Sequence, residues 1–277
     1  MRIARLETTG GARHAIWTGD AWAVVEDGFA DTPIRTGVTV AADDARLLAP
    51  CAPRVLVGIA HNKTNNNHPL PIQAWHKSVR TIVGPGAAIH ARRDVGTINI
   101  EGELAVVIGR DTEGLTLDTA FDYVFGYTVV NDVTNVDRNA VDEKIFQGKG
   151  GHGYTPLGPW IETQLDDPEN VATTVSVNGE VAARSGSFNL PSTVAESIVY
   201  VASWIPLGPG DVIMSGAPNT FVAVYSGRHG GDHPRRHRLP HQPGRLRPPD
   251  KDTMTHCCHS HLGVGLVEHI SSKGTHS

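Results

Sequence analysis

Thr97-Ile98-Asn99-Ile100-Glu101-Gly102-Glu103-Leu104-Ala105-Val106-Val107-Ile108 is the stretch on which the fold turns. Ile100, Leu104, Val106 and Ile108 share one parity, while Glu101, Glu103, Ala105 and Val107 share the other, and this alternation predicts a strand. Side chains at i and i+2 of a strand point the same way, roughly 6.8 Å apart along the chain. The apolar parity is expected to face a core, with two carboxylates projecting side by side from the opposite face. Asp132 lies 29 residues beyond Glu103 (132 − 103) and ends a second apolar run, Tyr123 to Asn131, so a neighbouring strand could bring it to the same spot. Three carboxylates ~5 Å apart would repel by roughly 3 kcal/mol per pair at an effective dielectric of 20. A cation resolves that conflict, and an all-oxygen set suits Mg²⁺, Mn²⁺ or Ca²⁺ rather than zinc. A bare Glu-x-Glu is more often the solvated face of a half-exposed strand. Here it begins an ordered series of motifs.

That series consists of Glu101 to Gly109, Tyr123-Val124-Phe125-Gly126-Tyr127-Thr128, Asn131-Asp132-Val133-Thr134, and Lys149-Gly150 with Pro156-Leu157-Gly158-Pro159-Trp160. It continues through Val177-Asn178-Gly179-Glu180 and Leu207-Gly208-Pro209-Gly210-Asp211 to Ala217-Pro218. From about Arg54 to Gly227 the chain resembles the fumarylacetoacetate hydrolase family. The resemblance implies an α+β, predominantly β fold, a mixed β-sandwich roll. It also implies a divalent metal held by Glu101, Glu103 and Asp132, a homodimer, and a substrate whose 2-oxo or β-diketo carboxylate chelates the ion. Lys149 resembles the family lysine near the metal, where an ammonium would hold substrate oxygens or stabilise an oxyanion.

The chain departs from the family pattern in places. Many members carry Arg four and Gln seven residues beyond the metal aspartate, where this chain has Val136 and Asn139. Asn139 keeps a donor for substrate. Hydrolases of the family commonly have Gly-x-Asn-Tyr-x-x-His-x-x-Glu; this chain has Gly58 to His68 with no glutamate following within reach. His61 or His68 could serve as a lone base, because imidazole titrates near neutrality. Trp75-His76-Lys77 stands at the family's Phe-x-Lys position, so Lys77 could meet a substrate carboxylate. Thr220, at the end of a Gly216-Ala217-Pro218 loop, could contact substrate.

Composition agrees with a soluble enzyme. At 277 residues and 29.6 kDa the chain can bury a substantial core, and its formal charge of -5 argues against a nucleic-acid partner. No 18-residue apolar stretch predicts a membrane span, and the opening Met1 to Glu7 lacks a signal-peptide core, which points to the cytoplasm. Three cysteines, two adjacent, make no disulfide framework. Cys51 and Trp160 read as structural.

Three zones follow. Residues 1–53 form a small N-terminal β subdomain with strand-like runs at Ala15 to Trp17 and Trp22 to Val25. Residues 54–227 form the catalytic β-roll, in which Asn178-Gly179 reads as a tight hairpin turn and Ser192 as the cap of a helix bearing Val194, Ile198, Val201 and Ile205. Residues 228–277 are atypical. From Ser226 onward the chain holds nine of the 15 histidines, six arginines and no aromatic residue, so this tail reads as disordered. It also reads as an out-of-frame translation: with suitable codons, His237 to Pro243 shifted by one base become Ile-Asp-Cys-Leu-Thr-Asn-Pro, which resembles the family's usual ending. His256-Cys257-Cys258-His259 offers sulfur and imidazole, but at a spacing that matches no standard zinc module.

The sequence therefore favours a metal-assisted enzyme that cleaves, isomerises, decarboxylates or hydrates a 2-oxo-ene-dioate or acylpyruvate from aromatic-compound breakdown. A catalytically silent metal- or ligand-binding remnant with a damaged C-terminus is the alternative.

Overall fold

The computed structural model describes residues 1–62, 71–91, 96–225, 253–256 and 264–269. The chain opens with β1 (Arg2–Thr8), β2 (Gly11–Trp17), β3 (Ala21–Val25), β4 (Arg35–Ala41) and the short β5 (Leu47–Leu48). β6 (Leu56–Ala60), β7 (Gln73–His76) and β8 (Ile82–Val83) lead to the long β9 (Thr97–Ile108). After β10 (Val124–Asn131) and β11 (Thr134–Asn135) come two one-turn helices, α1 (Val136–Asn139) and α2 (Phe146–Lys149). β12 (Thr155–Pro156), β13 (Trp160–Glu162), β14 (Ala172–Val177) and β15 (Glu180–Gly186) precede α3 (Val194–Trp204). β16 (Val212–Met214), β17 (Phe221–Tyr225), β18 (Thr253–His256) and β19 (Val264–His269) complete the described elements.

Thirteen strands join in one sheet whose main path runs β4-β3-β2-β1-β13-β10-β9-β16-β6-β7, with β5, β11 and β17 attached beside it. The expected mixed, predominantly β architecture is what forms. Four N-terminal strands continue this sheet through β1, whose Arg2, Ile3 and Ala4 pair with Glu162, Ile161 and Trp160 of β13. β9 is central and changes neighbours along its length. Gly102 to Ile108 lie antiparallel to β10, whereas Thr97 to Glu101 pair with β17 and Ile98 to Asn99 with β11. The change falls at Glu101-Gly102-Glu103.

Neither face of β9 is open, so the solvated-strand alternative for the Glu-x-Glu pair does not hold. Leu104, Val106 and Ile108 pack with Val194, Ile198 and Val201 of α3. Ala105 and Val107 pack with Leu56, Val130, Leu157 and Met214 on the other side. The physical reason is coverage: a central strand with layers on both faces is apolar throughout except where polar groups satisfy one another. Cys51 and Trp160 are buried, as expected of structural residues.

Local signals in the chain reappear in the structure. Asn178 and Gly179 take φ of 58° and 82° between β14 and β15, the double left-handed turn that Asn-Gly favours. α3 begins one residue later than expected. Thr193 is its cap, accepting from Glu196 N while the Glu196 carboxylate accepts from Thr193 N at 2.8 Å. Ser192 instead exchanges backbone bonds with the Asn62 side chain, at 3.0 and 2.8 Å.

The tail differs from its reading in one respect. β18 and β19 pair with each other, and β19 lies along β14 in a four-stranded sheet ordered β15-β14-β19-β18. The arginine-rich stretch and the Cys257-Cys258 pair lie outside the described residues, as does the span on which the out-of-frame reading rests.

Candidate metal centre

The change of neighbours along β9 builds the site. Gly102 N donates to Thr220 O at 2.9 Å, and Asp132 N donates to Glu101 O at 2.9 Å, so the turn after β10 is sewn to β9 beside its two glutamates. Asn131 accepts from Glu101 N through Oδ1 at 3.0 Å, fixing the same junction. Ligand-capable oxygens of Glu101, Glu103 and Asp132 consequently lie within 4.8 Å of one another, and all three residues are buried. The cluster is the convergence that the spacing anticipated.

Two lysines enter it. Lys149, at the end of α2, donates through Nζ to Glu101 Oε2 at 3.1 Å and makes a short contact with Asp132 Oδ2. Lys77, one residue beyond β7, donates to Asp132 Oδ1 at 2.5 Å and to Tyr154 O at 2.7 Å. Glu101 Oε1 accepts from Thr134 Oγ1 at 2.8 Å, and Glu103 Oε2 accepts from Gly216 N at 2.9 Å. The Trp75 indole lies below both ammoniums, its centroid 5.9 Å from Lys77 Nζ and 5.4 Å from Lys149 Nζ.

These contacts divide the carboxylates. Burial pushes Asp132 upward, but Lys149 and Lys77 outweigh it and hold its carboxyl below the ordinary value. Glu103 has no such partner: burial first, then the Asp132 charge, raises it to about 8, against weaker relief from Lys149. Lys77 is lowered by burial in spite of Asp132, whereas at Lys149 the same burial is overcome by Asp132, Glu101 and Glu103, and the net shift is upward. With Glu103 protonated, Glu101 and Asp132 balance the two lysines. Ionising Glu103 leaves one uncompensated negative charge in a buried place, which a hard cation would answer. The donor chemistry therefore fits such an ion: carboxylate oxygens converge, with no sulfur or imidazole among the three.

The remaining sequence candidates take different places. His61 is exposed on the turn after β6, at a φ of 61°. His68 lies outside the described residues. Asn139 packs against α2, where a Cβ on Gly148 would stand 2.7 Å from its Oδ1, and that buried oxygen has no hydrogen-bond partner among the described residues. Thr220 Oγ1 donates to Gly102 O at 2.5 Å, so its proton serves the strand junction. Sequence reading missed Thr134, the Gly216 amide, the Tyr154 carbonyl and Trp75. Thr134 and Gly216 lay inside quoted motifs, but which carboxylate each would hold depends on long-range pairing.

A mixed-β scaffold with a buried three-carboxylate centre defines the class of protein. The chain belongs to the fumarylacetoacetate hydrolase family: the profile of the fumarylacetoacetate (FAA) hydrolase C-terminal domain matches residues 52–254, and an Rv2993c-like N-terminal profile matches residues 1–50. Protein Rv2993c of Mycobacterium tuberculosis is 30% identical over 234 residues, covering 79% of this chain and 88% of its own. The crystal structure of a 5-carboxymethyl-2-hydroxymuconate delta-isomerase from Mycobacterium smegmatis superposes with a TM-score of 0.77 at 30% identity, covering 81% of this chain and 91% of that one. A 2-hydroxyhepta-2,4-diene-1,7-dioate isomerase from Mycobacterium marinum superposes at 0.75 and 29% identity, covering 81% and 90%. Among the described residues no helix is long and apolar enough to cross a membrane.

Proposed function

We propose that the chain is a divalent-metal-dependent enzyme acting on a 2-oxo or β-diketo carboxylate of aromatic-compound breakdown, with isomerisation of a 2-oxo-ene-dioate the favoured reaction. One observation carries the reading: three buried carboxylates converge beside two buried lysines on a family scaffold. Glu101, Glu103 and Asp132 would hold the ion, with Mg²⁺ the first choice and Mn²⁺ or Ca²⁺ the others. When bound, such an ion supplies a Lewis acid for the substrate's 2-oxo carboxylate.

The chain's own groups do the rest. Lys149 Nζ, already shared between two carboxylates, turns a donor toward a substrate oxygen as negative charge builds there. Lys77 holds a substrate carboxylate from the opposite side of Asp132. Isomerisation needs a proton removed from one carbon and returned to another, for which His61 and His68 are the candidate bases and Asn139 and Thr220 the further substrate contacts. The two solved relatives named above are isomerases, and no glutamate follows His61 within reach to activate a water for carbon–carbon hydrolysis. Both facts favour isomerisation. The working form is a cytoplasmic homodimer.

Turnover of a panel of 2-oxo-ene-dioates and acylpyruvates, with and without chelator, tests the proposal. Activity lost on chelation, restored by Mg²⁺ and abolished in Glu103→Ala supports it. Turnover that survives both chelator and Glu103→Ala refutes the metal role. No turnover, with no thermal shift from Mg²⁺ plus oxalate, favours the silent remnant. Light scattering of the eluting peak decides the dimer.

A further inference from the structure

We propose that Trp75 is a positioning residue, its indole face holding the Lys77 and Lys149 ammoniums against Asp132 and so setting where substrate oxygens meet them. The inference deepens the metal-enzyme reading and rests on it for its functional consequence. Both ammoniums lie within cation–π range of the same ring, at 5.9 and 5.4 Å, and both contact the same carboxylate. Two like charges crowded on one aspartate repel, and a buried site offers little water to screen them. The negative face of the indole attracts both at once.

The backbone is arranged to allow this. Trp75 pairs in register with Gly58 of β6, and a Cβ there would stand 2.7 Å from the ring's Cε2 and Cζ2. Because Gly58 has no side chain, the indole can lie across β6 toward the lysines. Any other residue at position 58 drives the ring off that line. Trp75 also packs on the cluster holding Leu56 and Met214, so loss of bulk must be separated from loss of the π face.

Four variants make that separation. Trp75→Phe keeps an aromatic face, Trp75→Leu keeps apolar bulk alone, Gly58→Ala displaces the intact ring, and Lys149→Met removes one cation. In metal-free protein, the Trp75 emission component, taken as wild type minus Trp75→Phe, is expected to shift in wavelength when Lys149→Met is introduced. An unmoved component overturns the proposal, whatever the metal does. In Mg²⁺-loaded protein, calorimetry with oxalate should show affinity falling about tenfold in Trp75→Leu and in Gly58→Ala, and staying within about twofold in Trp75→Phe, as expected for one or two cation–π contacts. Oxalate affinity unchanged in a Trp75→Leu protein with native circular dichroism also overturns it. Should wild type bind neither Mg²⁺ nor oxalate, the metal-enzyme reading fails, and the emission measurement alone decides the role of Trp75.

Discussion

On one side of β9, Leu104, Val106 and Ile108 meet Val194, Ile198 and Val201 of α3 in a dry apolar layer. On the other, a few residues toward its start, Glu101 and Glu103 share an equally buried space with Asp132, Lys77 and Lys149. Both interiors are buried, but different forces hold them. The first is stabilised by area removed from water and tolerates volume-conserving change. In the second, each charge is held only because its neighbours are present, so removing one exposes the desolvation cost of the rest. A single strand can border both because each residue faces one side only and because its neighbours change at Gly102.

Asp132→Ala should break the comparison most severely. It leaves Lys77 and Lys149 buried without their common partner, a loss on the order of 3–5 kcal/mol for breaking a buried pair. Urea unfolding at neutral pH measures it. Ile198→Ala deletes apolar volume from the other interior and should cost about 3 kcal/mol, within the range for such truncations. Mg²⁺ affinity should survive Ile198→Ala and be lost in Asp132→Ala. Equal loss of metal binding in both would mean that the two interiors are coupled rather than separate.

Glu103 sharpens the contrast inside the polar interior. Its folded value, raised to about 8 from an ordinary 4.5, makes the folded state bind more protons than the unfolded chain between those limits. Metal-free stability from this group is therefore full below about 4.5, falls as pH rises through about 8, and is level above. Bound Mg²⁺ should remove that decline. Calorimetric titrations near pH 7 in two buffers of different ionisation enthalpy should show about one proton released per ion. Glu103→Gln imitates the protonated acid, so at about pH 4.5, where the stability from this group is still nearly full, its metal-free stability should stay within about 1 kcal/mol of wild type. At pH 9 it should exceed the metal-free wild type, while the Mg²⁺ thermal shift disappears. A Glu103→Gln protein as unstable as Asp132→Ala would show that Glu103 is ionised in the metal-free fold.

What was legible in the chain follows the range of the forces involved. The β9 alternation, the Asn178-Gly179 turn and the α3 periodicity are local, and each appears where the sequence puts it, with the cap displaced by one residue to Thr193. The meeting of Glu101, Glu103 and Asp132 was legible because the first two lie on one strand and Asp132 directly follows the apolar run that forms its antiparallel neighbour. Burial of the acidic face was not legible, since alternating Glu residues look the same on an open strand as beneath a second layer. Nor was the lysine pair on Asp132, which spans 55 and 17 residues and depends on where β7 and α2 arrive. Trp75 shows the limit: its reach is set by a missing Cβ on Gly58, a fact invisible until the strands are paired.

The smallest expected effect lies in the hairpin, distant in kind from both interiors. Gly179 sits at a φ of 82° with no atom within 4 Å of where a Cβ would stand. Gly179→Ala meets no clash, and its cost is the strain of an L-residue in the left-handed region, about 1 kcal/mol. Denaturant unfolding should register that change, while Mg²⁺ affinity and the pH dependence attributed to Glu103 stay as in wild type. A change in metal affinity on this substitution would mean that the β14–β15 sheet transmits strain to β9, and the polar interior would then owe its geometry to more than the junction at Gly102.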